Sequence, residues 1–322
     1  MSTFDVVCVG SSVVDIPLRP VDASVFDTVS YPVDDISMRV GGDALNESIV
    51  LARLGAKVAL VTAVGDDAAG SFILGSARDE GVDTQGIRVR RDMTTSLNVG
   101  LVRPDGERTF ITNRAGSLWT TQEADLALPL SLHASVLAFG SIFNNPLLGG
   151  AWLARLFAGA QQAGMTVCAD MVPPRTGATI DDIGDALSHL DHFLPNVDEA
   201  IALTGARDED EAADVLLDRG VGTVVLKLGR RGCLVRSAGT SLVVPAFVRD
   251  DLDALDTTGA GDNFAAGYIR ALSRGRSVAD CAVFANAVAA VSVGGLGATA
   301  AVRSTQQVEK FMQDYARNED IT

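Results

Sequence analysis

The segment Asp256-Thr257-Thr258-Gly259-Ala260-Gly261-Asp262 runs straight into an apolar stretch with helical spacing, Asn263 to Leu272. Glycine-rich backbone can turn successive N–H groups toward one point, and a first helical turn adds unpaired donors and a partial positive charge. Gly259, Ala260 and Gly261 are therefore candidates for an anion hole that grips phosphate oxygens. Asp262 beside it is ill suited to anion storage and well suited to deprotonating a hydroxyl that attacks a phosphoryl group. In phosphoryl transfer, positioning and charge neutralisation count for more than base strength, so an aspartate suffices. The plainer alternative is a tight loop with Asp262 as a helix cap.

Other chemistries are excluded by what is missing. The three lysines, Lys57, Lys227 and Lys310, never follow a glycine, so there is no GxxxxGK[ST] phosphate loop. The three histidines, His133, His189 and His192, form no HRD loop, and no GxGxxG follows a strand. His189 and His192 read as a chance pair rather than a metal site. A formal charge of −15 repels phosphate backbones and anionic lipid, so neither nucleic acid nor membrane is expected as a partner. Cys8, Cys168, Cys233 and Cys281 lie far apart without a CxxC pair and read as buried, reduced thiols. Neither a signal pattern nor an apolar run of membrane length is present, which predicts a cytoplasmic protein.

Positioning these groups requires a scaffold. Short β-branched runs at Asp5 to Val9, Lys57 to Ala63, Ser135 to Gly140, Met165 to Ala169 and Thr223 to Leu228 alternate with helical patterns, which predicts an α/β fold around a mainly parallel sheet. Ala44 to Leu54 reads as a helix stopped by Gly55, and Val278 to Val291 as another. Asp208 to Glu211 reads as the solvated start of a helix. Thr95 to Arg114 breaks the rhythm: Leu97, Val99 and Leu101 alternate with polar neighbours, Pro104-Asp105-Gly106 turns, and Thr109 to Thr112 resumes. With Val13 to Val40 this hairpin predicts a small sheet serving as a lid, returning through Gly41 and Gly42.

Gly41-Gly42-Asp43-Ala44-Leu45-Asn46, continuing through Leu51 to Gly55 and Val64-Gly65-Asp66-Asp67 to Gly70, resembles the amino-terminal signature of the ribokinase-like (PfkB) carbohydrate kinases. DTTGAGDNFAAG resembles their carboxy-terminal signature, and the two motifs stand in the family's order along nearly the whole chain. The resemblance implies a three-layer αβα domain, with residues 1–12, 41–91 and 115–322 as the main body and 13–40 and 92–114 as a β-sheet lid. It implies ATP as donor, with Mg²⁺, and a sugar or nucleoside hydroxyl as acceptor.

Family roles then fall on individual positions. Asp15, Gly41, Gly42, Asp43 and Asn46 match the sugar site; Asn46 both donates and accepts, as a polyhydroxylated ligand requires. Asn196 and Glu199 match an NxxE motif that organises Mg²⁺ through water, and also read as a capping box. Lys227, Gly229, Gly232 and Asn286 match the nucleotide site. Asp256, Thr258, Ser292 and Gly297 match the ligands of a monovalent cation, potassium in the family. Many relatives carry lysine after the paired glycines; Asp43 there implies hydroxyl contacts rather than an anionic substituent. Arg39, Arg90 and Arg103 remain available for a carboxylate or phosphate. Arg175 belongs to a segment that matches only in part, and the substrate-reading position falls within Ser141 to Asn145.

The resulting expectation is an ATP-dependent kinase acting on a hydroxyl of a small sugar or polyol, with Asp262 as base and a homodimer formed through the lid. A nucleoside kinase of the same family, a phosphosugar kinase and a silent sugar or nucleotide sensor are the other readings.

Overall fold

The computed structural model describes residues 4–105, 107–127, 132–174, 177–248 and 254–319. In chain order its strands are β1 (Phe4–Gly10), β2 (Val13–Arg19), β3 (Asp35–Ile36), β4 (Arg39–Gly41), β5 (Val58–Gly65), β6 (Ile87–Arg90), β7 (Leu97–Val102), β8 (Arg108–Thr112), β9 (Ala134–Ile142), β10 (Thr166–Met171), β11 (His192–Phe193), β12 (Thr223–Lys227), β13 (Cys233–Ser237) and β14 (Thr240–Val244). The helices are α1 (Asp43–Arg53), α2 (Ala68–Asp79), α3 (Ser117–Thr120), α4 (Gly150–Gln162), α5 (Gly184–Leu187), α6 (Val197–Thr204), α7 (Glu209–Asp218), α8 (Ala260–Ser273), α9 (Val278–Ser292) and α10 (Thr305–Glu319).

Nine strands form the main sheet in the order β14-β13-β12-β11-β10-β9-β1-β5-β6, parallel from β12 to β6 and antiparallel at β13 and β14. Continuous apolar runs become strands here because helices cover both faces. Along β1, Val6 and Cys8 pack with α1, α8 and α9, whereas Val7 and Val9 pack with α4 to α7. That alternation makes three layers around two cores. The four cysteines are free and buried, as expected.

The chain builds β5 and β6 on one side of β1 and β9 onward on the other, so the strand order reverses between β1 and β9. Such a switch point opens a crevice at the carboxyl ends of the strands. Gly10 and Gly140 face each other there, and a Cβ on Gly140 would stand 2.6 Å from the Ala44 nitrogen. The absence of that carbon lets the amino end of α1 sit directly over the crevice.

A second sheet of five strands runs β3-β2-β7-β8, with β4 also paired to β2. Its register sets Asp15 beside both Asn98 and Arg39, Gly100 beside Phe110, and Val102 beside Arg108. Side chains alternate across a strand, so one face carries Asp15, Pro17, Arg19, Asn98, Arg108, Phe110 and Thr112. The turn residue Gly106 lies outside the described residues.

Several local readings shift. Helix α8 starts at Ala260, three residues before the apolar run, because Gly259 ends the preceding loop in the left-handed region. Asp262 is thus inside the first turn and is not the cap. Asp15 lies within β2. His192 belongs to a two-residue strand and meets the Tyr268 hydroxyl at 3.1 Å, while His189 meets Gln161, so the two histidines have separate partners. Asp208 caps α7 as read.

Candidate active site

Gly259 adopts φ +73°, and a Cβ there would lie 2.5 Å from that of Ala298. Both facts call for glycine. No side chain caps the helix, while Asn263 ties Gly259 O (2.7 Å) to Ala298 O (2.6 Å) and so fixes the turn. The Ala260 N–H is directed to Thr257 O at 3.2 Å, leaving the later amides of this first turn without helical partners. Asp262 accepts a hydrogen bond from Asn46 Nδ2 at 2.7 Å, across from α1. Burial pushes the Asp262 carboxyl up to about 6; the Asn46 bond and Lys227 work against that rise, and Asp170 and Asp15 add to it.

On the small-sheet side, Asp15 receives Asn98 Nδ2 at 3.0 Å. Burial pushes its carboxyl up to about 6 against the pull of that bond. Gly41 and Gly42 are not a loose return: a Cβ on Gly41 would collide with the Asp15 carboxylate, and one on Gly42 would stand 2.6 Å from Ser11 O. Asp43 opens α1 and accepts from the Ser141 hydroxyl, with Ser141 held at φ +67°. Burial and then Asp262 raise the Asp43 carboxyl well above the usual range. Asp15, Gly42, Asp43, Asn46 and Asp262 line one cavity of about 350 Å³.

A second cavity of about 520 Å³ lies on the other side, lined by Asn196, Glu199, Lys227, Gly229, Gly232 and Asn286 among others. Asn196 and Glu199 do form the expected reciprocal cap, at 2.8 and 2.9 Å. Burial and Asp170 push Glu199 up to about 7. Lys227 does not point to solvent but bonds Asp170, and a Cβ on Gly261 would come within 3.3 Å of its ammonium. Burial disfavours that ammonium, but Asp170 and Glu199 outweigh it and raise its pKa. Asn286 spends its amide on Val244 O and Pro245 O, both at 3.1 Å, and so braces the wall. The carboxylates of Asp170, Glu199 and Asp262 on this wall suit a Mg²⁺ that keeps its waters. Among the described residues no three His, Cys, Asp or Glu side chains close around one point.

The residues matched to potassium are arranged otherwise. Asp256 Oδ1 accepts the Thr258 N–H (2.9 Å) and hydroxyl, and Oδ2 accepts the Gly297 N–H (2.9 Å). Arg108 of β8 bonds the Thr258 and Thr257 hydroxyls and approaches Asp256 Oδ1 at 3.4 Å; Arg19 of β2 stands 3.8 Å from Oδ2. Burial opposes ionisation of Asp256, but these hydrogen bonds and Arg108 hold its carboxyl below the usual range. Ser292 is turned away, its hydroxyl donating to Ala289 O and its carbonyl accepting from Gly295. With the Arg108 guanidinium bonded into the loop and Arg19 close by, the Asp256 carboxylate already has positive partners, and the site does not suit a monovalent cation.

Of the other arginines considered, Arg39 pairs with Asp35 at 2.9 Å, Arg90 with Asp92 and Asp125, and Arg103 with Asp105. Arg175 lies outside the described residues. Sequence reasoning missed Asn98, Arg19 and Arg108. For Asn98 and Arg108 the signal was their alternation with Leu97, Val99 and Ile111 along the strands.

Gly261, Asp262 and Asp43 line both cavities, so the first turn of α8 and these two carboxylates stand between the smaller chamber and the larger, more apolar one. The family model for pfkB carbohydrate kinases matches residues 3–305. A ribokinase of Haemophilus influenzae is 30% identical over 284 residues, 85% of this chain and 87% of the relative. The aminoimidazole riboside kinase of Salmonella typhimurium is 28% identical over 319 residues, 94% and 96% of the two chains. The fold matches that of Arabidopsis thaliana ribokinase, solved with ribose and ATP, at a TM-score of 0.82 with 23% identity, covering 97% of this chain and 99% of that one. With both signature motifs lying inside a match of that extent, the chain belongs to the pfkB family and is an ATP-dependent carbohydrate kinase.

Proposed function

We propose that the protein phosphorylates an exposed hydroxyl of a small monosaccharide or polyol, with Asp262 as the base. The observation that carries this reading is the shared partition: Asp262, Asp43 and the glycine turn face both chambers. The sugar is bound in the smaller chamber by Asp15, Asp43 and Asn46, whose oxygens and amide match a ring of hydroxyls. ATP occupies the larger chamber, whose walls include Phe247, Phe264 and Val293 as apolar surface for a base. The first-turn amides of α8 stabilise charge on the transferring group, and Lys227 adds a positive charge beside them.

Asp262 takes the proton of the attacking hydroxyl while Asn46 fixes the direction of its carboxylate. Glu199 and Asp170 would hold Mg²⁺ together with the phosphates; bound there, the ion neutralises phosphate charge. The sheet formed by residues 13–40 and 92–114 serves as a lid that excludes water from the chamber, which favours transfer over hydrolysis. The same sheet is the proposed contact between two copies.

The test is ADP release from Mg-ATP across pentoses, hexoses, polyols, keto-acids and nucleosides. Asp262→Asn is expected to lower kcat by roughly 100-fold to 10,000-fold with sugar binding retained. Unchanged turnover in the variant would remove Asp262 as base, and turnover on nucleosides alone would select the nucleoside kinase.

A further inference from the structure

We propose that Arg108, carried on lid strand β8, takes the place of a monovalent cation at the 256–258 loop and thereby ties lid closure to assembly of the anion hole. The inference rests on the kinase reading. Asp256 begins the loop that ends in Gly259, and its side chain is only 10% exposed, so its charge needs a partner close by. Arg108 supplies one, and its planar fork also reaches the hydroxyls of Thr257 and Thr258. Arg19, from a second strand of the same sheet, adds a further positive charge 3.8 Å away.

An alkali cation at this carboxylate would stand against the Arg108 guanidinium, which already bonds the loop, with Arg19 adding a weaker opposition from 3.8 Å. The countercharge in this chain is therefore covalently part of the lid. When the lid lifts, Arg108 leaves with it and the loop loses both its charge partner and two hydrogen bonds. The turn at Gly259 to Gly261 is then held only by its local bonds. Sugar binding, which draws the lid down through Asp15 and Asn98, restores the loop. A phosphate site completed only under a closed lid suppresses transfer to water. Arg108 is a positioning residue in this scheme, acting on the transferring phosphoryl group through the loop.

The experiment compares the full-length wild type with Arg108→Met, at constant ionic strength, in potassium chloride or tetramethylammonium chloride. Wild-type kcat is expected to differ by less than about twofold between the salts. In Arg108→Met, kcat in tetramethylammonium is expected to fall roughly 10-fold to 100-fold, as for a lost charge-assisted hydrogen bond, with a smaller change in sugar KM. Potassium should restore most of that loss, as should added ethylguanidinium. Potassium activation of the wild type overturns the proposal, and so does an Arg108→Met enzyme with unchanged kcat or one that neither cation restores. Melting temperature separates this from failure of the kinase reading: potassium should raise that of Arg108→Met and leave the wild type unmoved. A protein that turns over no sugar yet shows this pattern keeps the substitution and loses the kinase, whereas a wild type stabilised by potassium loses the substitution.

Discussion

Asp262 and Asp15 are each pushed up to about 6 by burial, and in their proposed roles, base and acceptor for sugar hydroxyls, both must be ionised. Activity therefore rises as pH climbs through about 6. Since the two groups sense each other, log kcat/KM should steepen toward a slope of about two on the acid side. In kcat, measured with sugar saturating, the Asp262 limb should remain. Asn46→Leu removes the bond that lowers Asp262 and should move this limb to higher pH, and Asn98→Leu should move the Asp15 limb in the same direction. A pH–rate profile flat down to about pH 5 would contradict both assignments. Asp262 and its glycines were legible as a motif because they are contiguous. Asn98 and Arg108 were not, because their partners lie 83 and 148 residues away in sequence and the pairing depends on strand register.

At the scale of elements, the site exists because two uncapped helix starts, Gly42 before α1 and Gly259 before α8, meet over the switch point. The contact between α1 and β9 is backbone on backbone. In Gly140→Ala the new Cβ would press on the Ala44 backbone at 2.6 Å, and backbone cannot swing aside as a flexible side chain can. Shifting α1 moves Asp43 and Asn46 with it. Urea unfolding should show a loss of about 1–3 kcal/mol, the usual cost of overpacking, and the sugar KM should rise while the ATP KM changes less. A variant as stable as the wild type would mean that α1 does not need this close approach. Long apolar strands and Ala-rich helices were readable from periodicity, since burial on both faces leaves few polar positions. The start of α8 and the two-residue β11 were not. Glycine and aspartate are weak helix formers, and two residues carry no period.

For the whole molecule, the proposed lid and the proposed contact between two copies fall on the same small sheet. Its edge strand β8 leaves a row of backbone donors and acceptors unpaired on one side, and the sequence Arg108 to Thr112 has neither proline nor lysine to block pairing. Arg108 does not guard that edge, because it is drawn inward to Asp256 and Thr258. Ile111 on β8 and Ile36 on β3 are 56% and 67% exposed, apolar surface that a second copy would cover. A dimer formed this way joins two lids, so each lid closes against a partner as well as against its own crevice. Sedimentation at micromolar concentration is expected to give a dimer for the wild type and a monomer for Ile111→Lys, which places a charge on the proposed contact without touching the inward face. The monomer should keep its fold by circular dichroism and bind sugar more weakly, because a lid without its partner closes less readily. A wild type that sediments as a monomer would remove the interface, and the closure of each lid would then depend on its own arginines alone.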